Sequence, residues 1–429
     1  MSSATDSRSP DRPALAIRLE LKMLIVNPTA TRRPYPDTLR AIMNMRQAAE
    51  SRAWLSTWNR FERTVTPLWE MPGLAHELSL AQVLIKDESV RSSLGSFKVL
   101  GAPIALLRLI LRRFPERGFE PRSLLAGEHA QALADFTVIS ATDGNHGRAL
   151  AAAAQSVGCG CVIVLHANVS AEREQAIAAY GARIIRISGN YDDSVHEAAR
   201  LADEHGWTVV SDTSYDGYEA IPRDVMQGYG IIAAEALEAL HAAPATSPFS
   251  HVFLQGGVGG LAAGIASYLW ERYGEARPTL IVVEPAQADC LCQSALAGRA
   301  AKASGSVDSV MAGLACGETS PLAWRLLEGC IDYFMTIEDG EAVDAMRRLA
   351  QGRAGDLPLV AGESAVAGLA ALVRVMGSPA QAAEMGLDRQ SRVLLISTEG
   401  ATAPGLYAEL AGETATSVLE RQRSWLQQR

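Results

Sequence analysis

Lysine is scarce in this chain: four of the 39 basic residues, at positions 22, 86, 98 and 302, leaving arginine to carry the positive charge. Cysteine is sparse too, six in 429 residues, which excludes a disulfide-stapled scaffold. Cys159 with Cys161, Cys290 with Cys292, then Cys316 and Cys330 match no structural zinc spacing, so they read as reduced thiols of a cytoplasmic protein, and no metal is expected. No window reaches the roughly 18 uninterrupted apolar residues of a membrane span, and the N-terminus lacks the basic, apolar and cleavage segments of a secretory signal. A formal net charge of -9 gives no support to nucleic-acid binding.

What remains is an ordinary folded composition, 48% apolar and 20% charged, long enough for two lobes. Residues 1–14 are polar and proline-punctuated and read as a disordered or loosely attached tail. A helix is expected from position 37, then "TPLWEMPGLAHEL" as loop and short helix, and "QVLIKDE" as a strand. From 135 short apolar runs alternate with helical segments: "DFTVISA", "CVIVLHA", "RIIRISG" and "WTVVSDT" are the strands. That alternation predicts parallel sheet covered on both faces, an α/β lobe. A second set follows in "HVFLQ", "PTLIVVEP" and "SRVLLIS", with 286–330 as loop and short helices.

Lys98 stands between the small residues of "SSLGS" and the apolar helix "ALLRLILRR". Burying an ammonium costs several kcal/mol unless it is paired or deprotonated, so a lysine kept there is a candidate for its amine. "QGGVGGLAAG" ends one strand and opens a helix, where backbone amides can collect a phosphate; close strand-to-helix packing is the bland alternative. "ATDGNHG", with Asp143, Asn145 and His146, ends another strand, where ligands gather in open α/β sheets. "SDTSYDGYEAIP" adds Asp212, Tyr215, Asp216, Tyr218 and Glu219, acids that could meet an ammonium or exchange a proton or simply form a solvated loop. "ISTEGA" offers Ser397, Thr398 and Glu399 at a fourth strand end. An amine, a phosphate cradle and polar strand-end loops together suggest pyridoxal phosphate chemistry.

The words "LIKDES", "GSFKVLG", "ATDGNHGRALA", "NYDDSV", "DTSYDGYEAIPRDVMQGYG", "FLQGGVGGLAAG", "GLACGETSPLAW" and "ISTEGA" resemble the diaminopropionate ammonia-lyases, members of the tryptophan synthase β-like (fold type II) pyridoxal phosphate enzymes, over about residues 70–405. The resemblance implies a two-lobed α/β fold, each lobe an open twisted sheet flanked by helices. It implies a smaller lobe over 102–214, a larger one from 15–101 with 215–429, and a homodimer. It implies Lys98 as the lysine that links to the cofactor, Phe97 beside it, and Asn145 on the cofactor's 3-hydroxyl. Gly256, Gly257, Val258, Gly259 and Gly260 would hold the phosphate, and Ser397 or Thr398 would meet the pyridine nitrogen. Asp143 and Asp212 match the two family acids assigned to proton abstraction from the D- and L-isomers. Glu399 has no implied role and stays a loop residue. The family commonly carries a longer word where this chain has "SSLGSFKVLGAPIAL", so Ala102 and Pro103 could alter the pocket lip.

The implied reaction converts the small amino acid 2,3-diaminopropionate to pyruvate and two ammonia by α,β-elimination. A serine or threonine dehydratase, or another β-elimination enzyme using the same cofactor, is the alternative enzyme, and a catalytically silent amino-acid-binding protein on the same scaffold the alternative of another class.

Overall fold

The computed structural model describes residues 24–62, 65–142, 144–189 and 191–428. The expected tail at 1–14 and Asp143 lie outside these residues.

Eleven strands are described, and they fall into two sheets. The larger has the order β1 (Leu24–Val26), β10 (Tyr333–Ile337), β9 (Thr279–Pro285), β8 (His251–Gln255), β11 (Arg392–Ser397), β3 (Gln82–Asp87), β2 (Leu68–Glu70). Its inner pairings are parallel, and only the edges β1 and β2 run antiparallel. The smaller sheet is β6 (Arg183–Arg186), β5 (Gly160–Leu165), β4 (Thr137–Ala141), β7 (Thr208–Val209), all parallel. This is the two-sheet α/β architecture expected from the alternation of apolar runs and helices.

The strands are apolar on both faces because both faces are covered. Along β8, Val252 and Leu254 point into the core that also receives Ile163 and Leu165 of β5, while Phe253 enters a second core with Ile281 and Val283 of β9. On β5 the other parity, Val162 and Val164, packs in a third core with Ile139 and the helix α5 (Tyr191–His205). The first core therefore runs between the two sheets and joins them. Into it pack α2 (Ala102–Arg113), α3 (Asn145–Val157), α6 (Ala220–Ala239) and α7 (Gly260–Tyr273).

Local expectations differ from the structure in three places. The helix expected from 37 is broken into Asp37–Arg40 and α1 (Met45–Leu55), because Asn44 adopts extended backbone and its side chain accepts from Gln47 N at 2.9 Å, a restart cap. "LWE" within the segment read as loop is β2, three residues held only by antiparallel pairing to β3. Strands β1 (Leu24–Val26) and β10 (Tyr333–Ile337) are not among the strands expected from the sequence; the first is only three residues long.

Candidate active site

The polar loops expected at strand ends do converge. The carboxyl ends of β4, β7, β8 and β11 open on one pocket, lined among others by Lys98, Asn145, Asp212, Gly256 and Thr398.

Lys98 reaches this pocket from the single 3₁₀ turn Phe97–Leu100, immediately before α2. The turn is tied to the end of β11 by Phe97 N donating to Thr398 O at 2.9 Å, and by a backbone bridge between Ser96 and Glu399. It is pressed on α6: a Cβ on Gly228 would sit 1.8 Å from Leu100 O, so the "MQGYG" word is a close-approach surface for the lysine turn. Tyr229, next in that word, meets the Phe97 ring edge-on with centroids 4.8 Å apart.

Lys98 Nζ donates to Asp212 Oδ2 at 2.5 Å. Burial works against both charges, yet each holds the other: Asp212 lies well below the usual carboxylate range beside the lysine, and Lys98 is raised beside the aspartate. His146, on the first turn of α3, places Nδ1 3.8 Å from Asp212 Oδ2 and bonds Val210 O through Nε2 at 2.9 Å. Burial and the Lys98 charge push its basicity down, so it faces Asp212 as a neutral ring.

The Asp212 loop is built by its tyrosines. Tyr218 Oη accepts from Ser211 N at 2.9 Å and donates to Val209 O at 3.0 Å, and its ring stacks on Tyr215 at 4.7 Å. Of the acids in that word, only Asp212 faces the pocket; Asp216 is exposed, and Glu219 pairs with Arg325 at the surface.

Gly256, Gly257, Val258 and Gly260 line the same pocket, where a Cβ on Gly260 would lie 3.9 Å from Asp212 O, and Gly259 is not among the lining residues. Gly259 sits at φ +100, and a Cβ there would meet Ala323 and Leu327 at 3.0 Å. A Cβ on Gly256 would lie 2.5 Å from Glu284 Cγ. Glu284 at the end of β9 accepts from Leu291 N and Cys292 N at 2.9 and 2.8 Å, fixing the first turn of the helix Cys290–Ala297. Bare amides at a helix N-terminus, with a lysine amine in the same pocket, suit a phosphate-bearing aldehyde.

Asn145 lines the pocket, with its Nδ2 directed to Glu399 Oε2. Thr398 also lines it, whereas Ser397 lies behind with a buried Oγ that has no partner among the described residues. Both Ala102 and Pro103 are buried in the first turn of α2 rather than at the lip. Arg173, Tyr229 and Glu399 are pocket residues to which the sequence assigned no role. Arg173 belongs to the short helix α4 (Ala171–Ala178), Tyr229 sits mid-helix, and only Glu399 carried a signal, a charge at a strand end.

Comparison with known proteins agrees with this chemistry. Residues 60–399 match the family described as pyridoxal-phosphate dependent enzyme. The chain belongs to that family. It is 37% identical over 355 residues to the diaminopropionate ammonia-lyase of Escherichia coli strain K12, covering 81% of this chain and 87% of that protein. The solved structure of the holo diaminopropionate ammonia lyase of Escherichia coli superposes with a TM-score of 0.81 at 34% identity, covering 90% of this chain and 96% of that one. A biosynthetic L-threonine dehydratase of Pasteurella multocida is more distant, 28% identical over 235 residues, 55% of this chain and 39% of that protein. Pyridoxal phosphate is the family's cofactor, and the glycine wall, Lys98 and the orphaned Ser397 hydroxyl fit it.

Proposed function

We propose that the protein is a pyridoxal-phosphate-dependent ammonia-lyase converting 2,3-diaminopropionate and water to pyruvate and two ammonia by α,β-elimination. The observation that carries this reading is the Lys98–Asp212 pair facing the glycine wall, in a chain similar over most of its length to diaminopropionate ammonia-lyases.

Lys98 would attach the cofactor, with Phe97 packed beside it and Asn145 on its 3-oxygen. Gly256, Gly257, Val258, Gly259 and Gly260 would hold the phosphate, and a hydroxyl of Ser397 or Thr398 would meet the pyridine nitrogen. When bound, pyridoxal phosphate withdraws electrons from the Cα of an attached amino acid.

The protein's own part is to bind a doubly aminated substrate and to move its Cα proton. Asp212 is the base for the L-isomer in this reading, and Asp143 for the D-isomer. The Lys98 charge is what keeps Asp212 ionised, so moving that amine away from Asp212 raises the carboxylate's proton affinity where a Cα proton must be taken. Neutral His146 keeps a second positive charge away from the same carboxylate. The smaller lobe over 102–214 is likewise proposed, supported by a four-stranded sheet lying wholly within 137–209, as are the homodimer and the cytoplasmic location.

Purified, cofactor-loaded protein tests the reading against D- and L-2,3-diaminopropionate, L-serine and L-threonine. The expected result is strong diaminopropionate turnover with about two ammonia per pyruvate, the stoichiometry an α,β-elimination of a diamino acid requires. Preference for serine or threonine keeps the cofactor and overturns the substrate; absence of turnover with a loaded cofactor supports the silent binding protein.

A further inference from the structure

Glu399 is 3% exposed and lines the pocket, yet its Oε1 is buried without a hydrogen-bond partner among the described residues. Its other oxygen is occupied, facing Asn145 Nδ2 and accepting from Thr402 Oγ1 at 3.3 Å. A carboxylate oxygen taken out of water with no donor is costly, so this one is placed for a donor that arrives with a ligand. Arg173, one of the two pocket cations, is already engaged: it donates to Glu363 Oε1 at 2.7 Å, and both side chains are largely buried. Burial first, and then the neighbouring Glu399, push the Glu363 carboxyl up to about 7 against the pull of Arg173, whose guanidinium is committed to Glu363. Lys98, the other pocket cation, is held by Asp212.

The position of this free oxygen is set by the backbone. Glu399 stands two residues past the end of β11 and bridges Ser96, two residues before Lys98. Gly362 N donates to Glu399 O at 3.0 Å, which fixes the segment from its other side. The carboxylate stands in the pocket next to the amide of Asn145.

We infer that Glu399 binds the side-chain ammonium of the substrate and so selects a diamino acid over a hydroxy amino acid. This rests on the reading of the protein as a diaminopropionate ammonia-lyase. An ammonium brings three donors and a charge where serine or threonine brings one neutral hydroxyl, and a charge-assisted hydrogen bond is the stronger. A carboxylate there also favours the protonated amine. That is the form from which nitrogen departs as neutral ammonia: the Cβ–N bond breaks with its electron pair on nitrogen, while the pair freed at Cα by proton removal forms the Cα–Cβ double bond.

The test compares wild type, Glu399→Gln and Glu399→Asp, each loaded with cofactor, on 2,3-diaminopropionate and on L-serine, with the cofactor's absorbance recorded before substrate. For Glu399→Gln the ratio of kcat/KM for diaminopropionate to that for serine should fall at least about tenfold, mainly through KM, as loss of a charge-assisted contact predicts. Glu399→Asp should fall less, since it keeps the charge. An unchanged ratio in Glu399→Gln overturns the inference, as does a shifted cofactor absorbance with an unchanged ratio, which would make Glu399 a positioning residue acting through Asn145. Wild-type protein that does not turn over diaminopropionate would instead overturn the parent reading, whatever the variants do.

Discussion

Single residues in this protein carry opposite electrostatic fates within one pocket wall. Asp212 is held ionised by a lysine, while Glu284, buried behind the glycine wall, is pushed up to about 7 by burial that two backbone amides only partly offset. A folded value above the unfolded carboxylate's 4.5 means that the native state keeps a proton the unfolded chain releases. Glu284 thus stabilises fully below about pH 4.5, and that contribution is lost as pH rises towards 7. Glu284→Gln removes the titration, so between pH 4.5 and 7 its urea midpoint should decline less steeply with pH than that of wild type. Parallel curves would show that Glu284 does not titrate in this window.

At the scale of elements, the glycine wall is a strand, a glycine turn and a helix, each shaped by what lies behind it. Gly259→Ala places a side chain at φ +100 against Ala323 and Leu327. The strain of such a conformation is about 1–3 kcal/mol, and the turn must move to relieve it. Pyridoxal phosphate should be retained less well on dialysis, with the cofactor's dissociation constant raised; retention equal to wild type would mean that the turn absorbs the methyl without moving its amides. The strands feeding such loops were legible because buried parallel strands are short apolar runs. The restart at Asn44 and the edge strand β2 were less so, since a cap and a three-residue pairing depend on partners that no local period reveals.

The whole molecule is held by contacts between segments far apart in sequence, and one fully buried cluster among them is ionic. Lys86, Glu88, Arg91 and Glu235 are fully buried together: Glu235 of α6 accepts from Lys86 Nζ at 2.6 Å and Arg91 Nη1 at 2.7 Å, while Glu88 accepts from Arg91 Nη2 at 2.8 Å. The two positive and two negative charges balance only when α6 is docked on the end of β3. Glu235→Ala would strand two cations against one anion, and breaking a buried pair costs about 3–5 kcal/mol. Urea unfolding should show a loss of that order, and an unchanged midpoint would mean the cations find other partners. This network also accounts for Lys86, a second buried lysine, whose purpose is structural.

The local patterns determined the class of the protein: alternating short apolar runs and helices dictate parallel sheet because only strands buried on both faces can be so uniformly apolar. They also marked four polar strand-end loops and one lysine whose placement made sense only as chemistry. Residues 98, 145, 212, 256 and 398 come from distant stretches, and it is the packing of both sheets on one shared core that points their strand ends into one pocket. Composition and spacing left Asp212 level with the acids beside it and only the family resemblance singled it out; tertiary structure supplied the physical distinction, because whether a carboxylate meets a lysine or water depends on which way a loop is folded. It alone made Glu399 a buried acid with a free oxygen, since burial is a property of the neighbours and not of the residue.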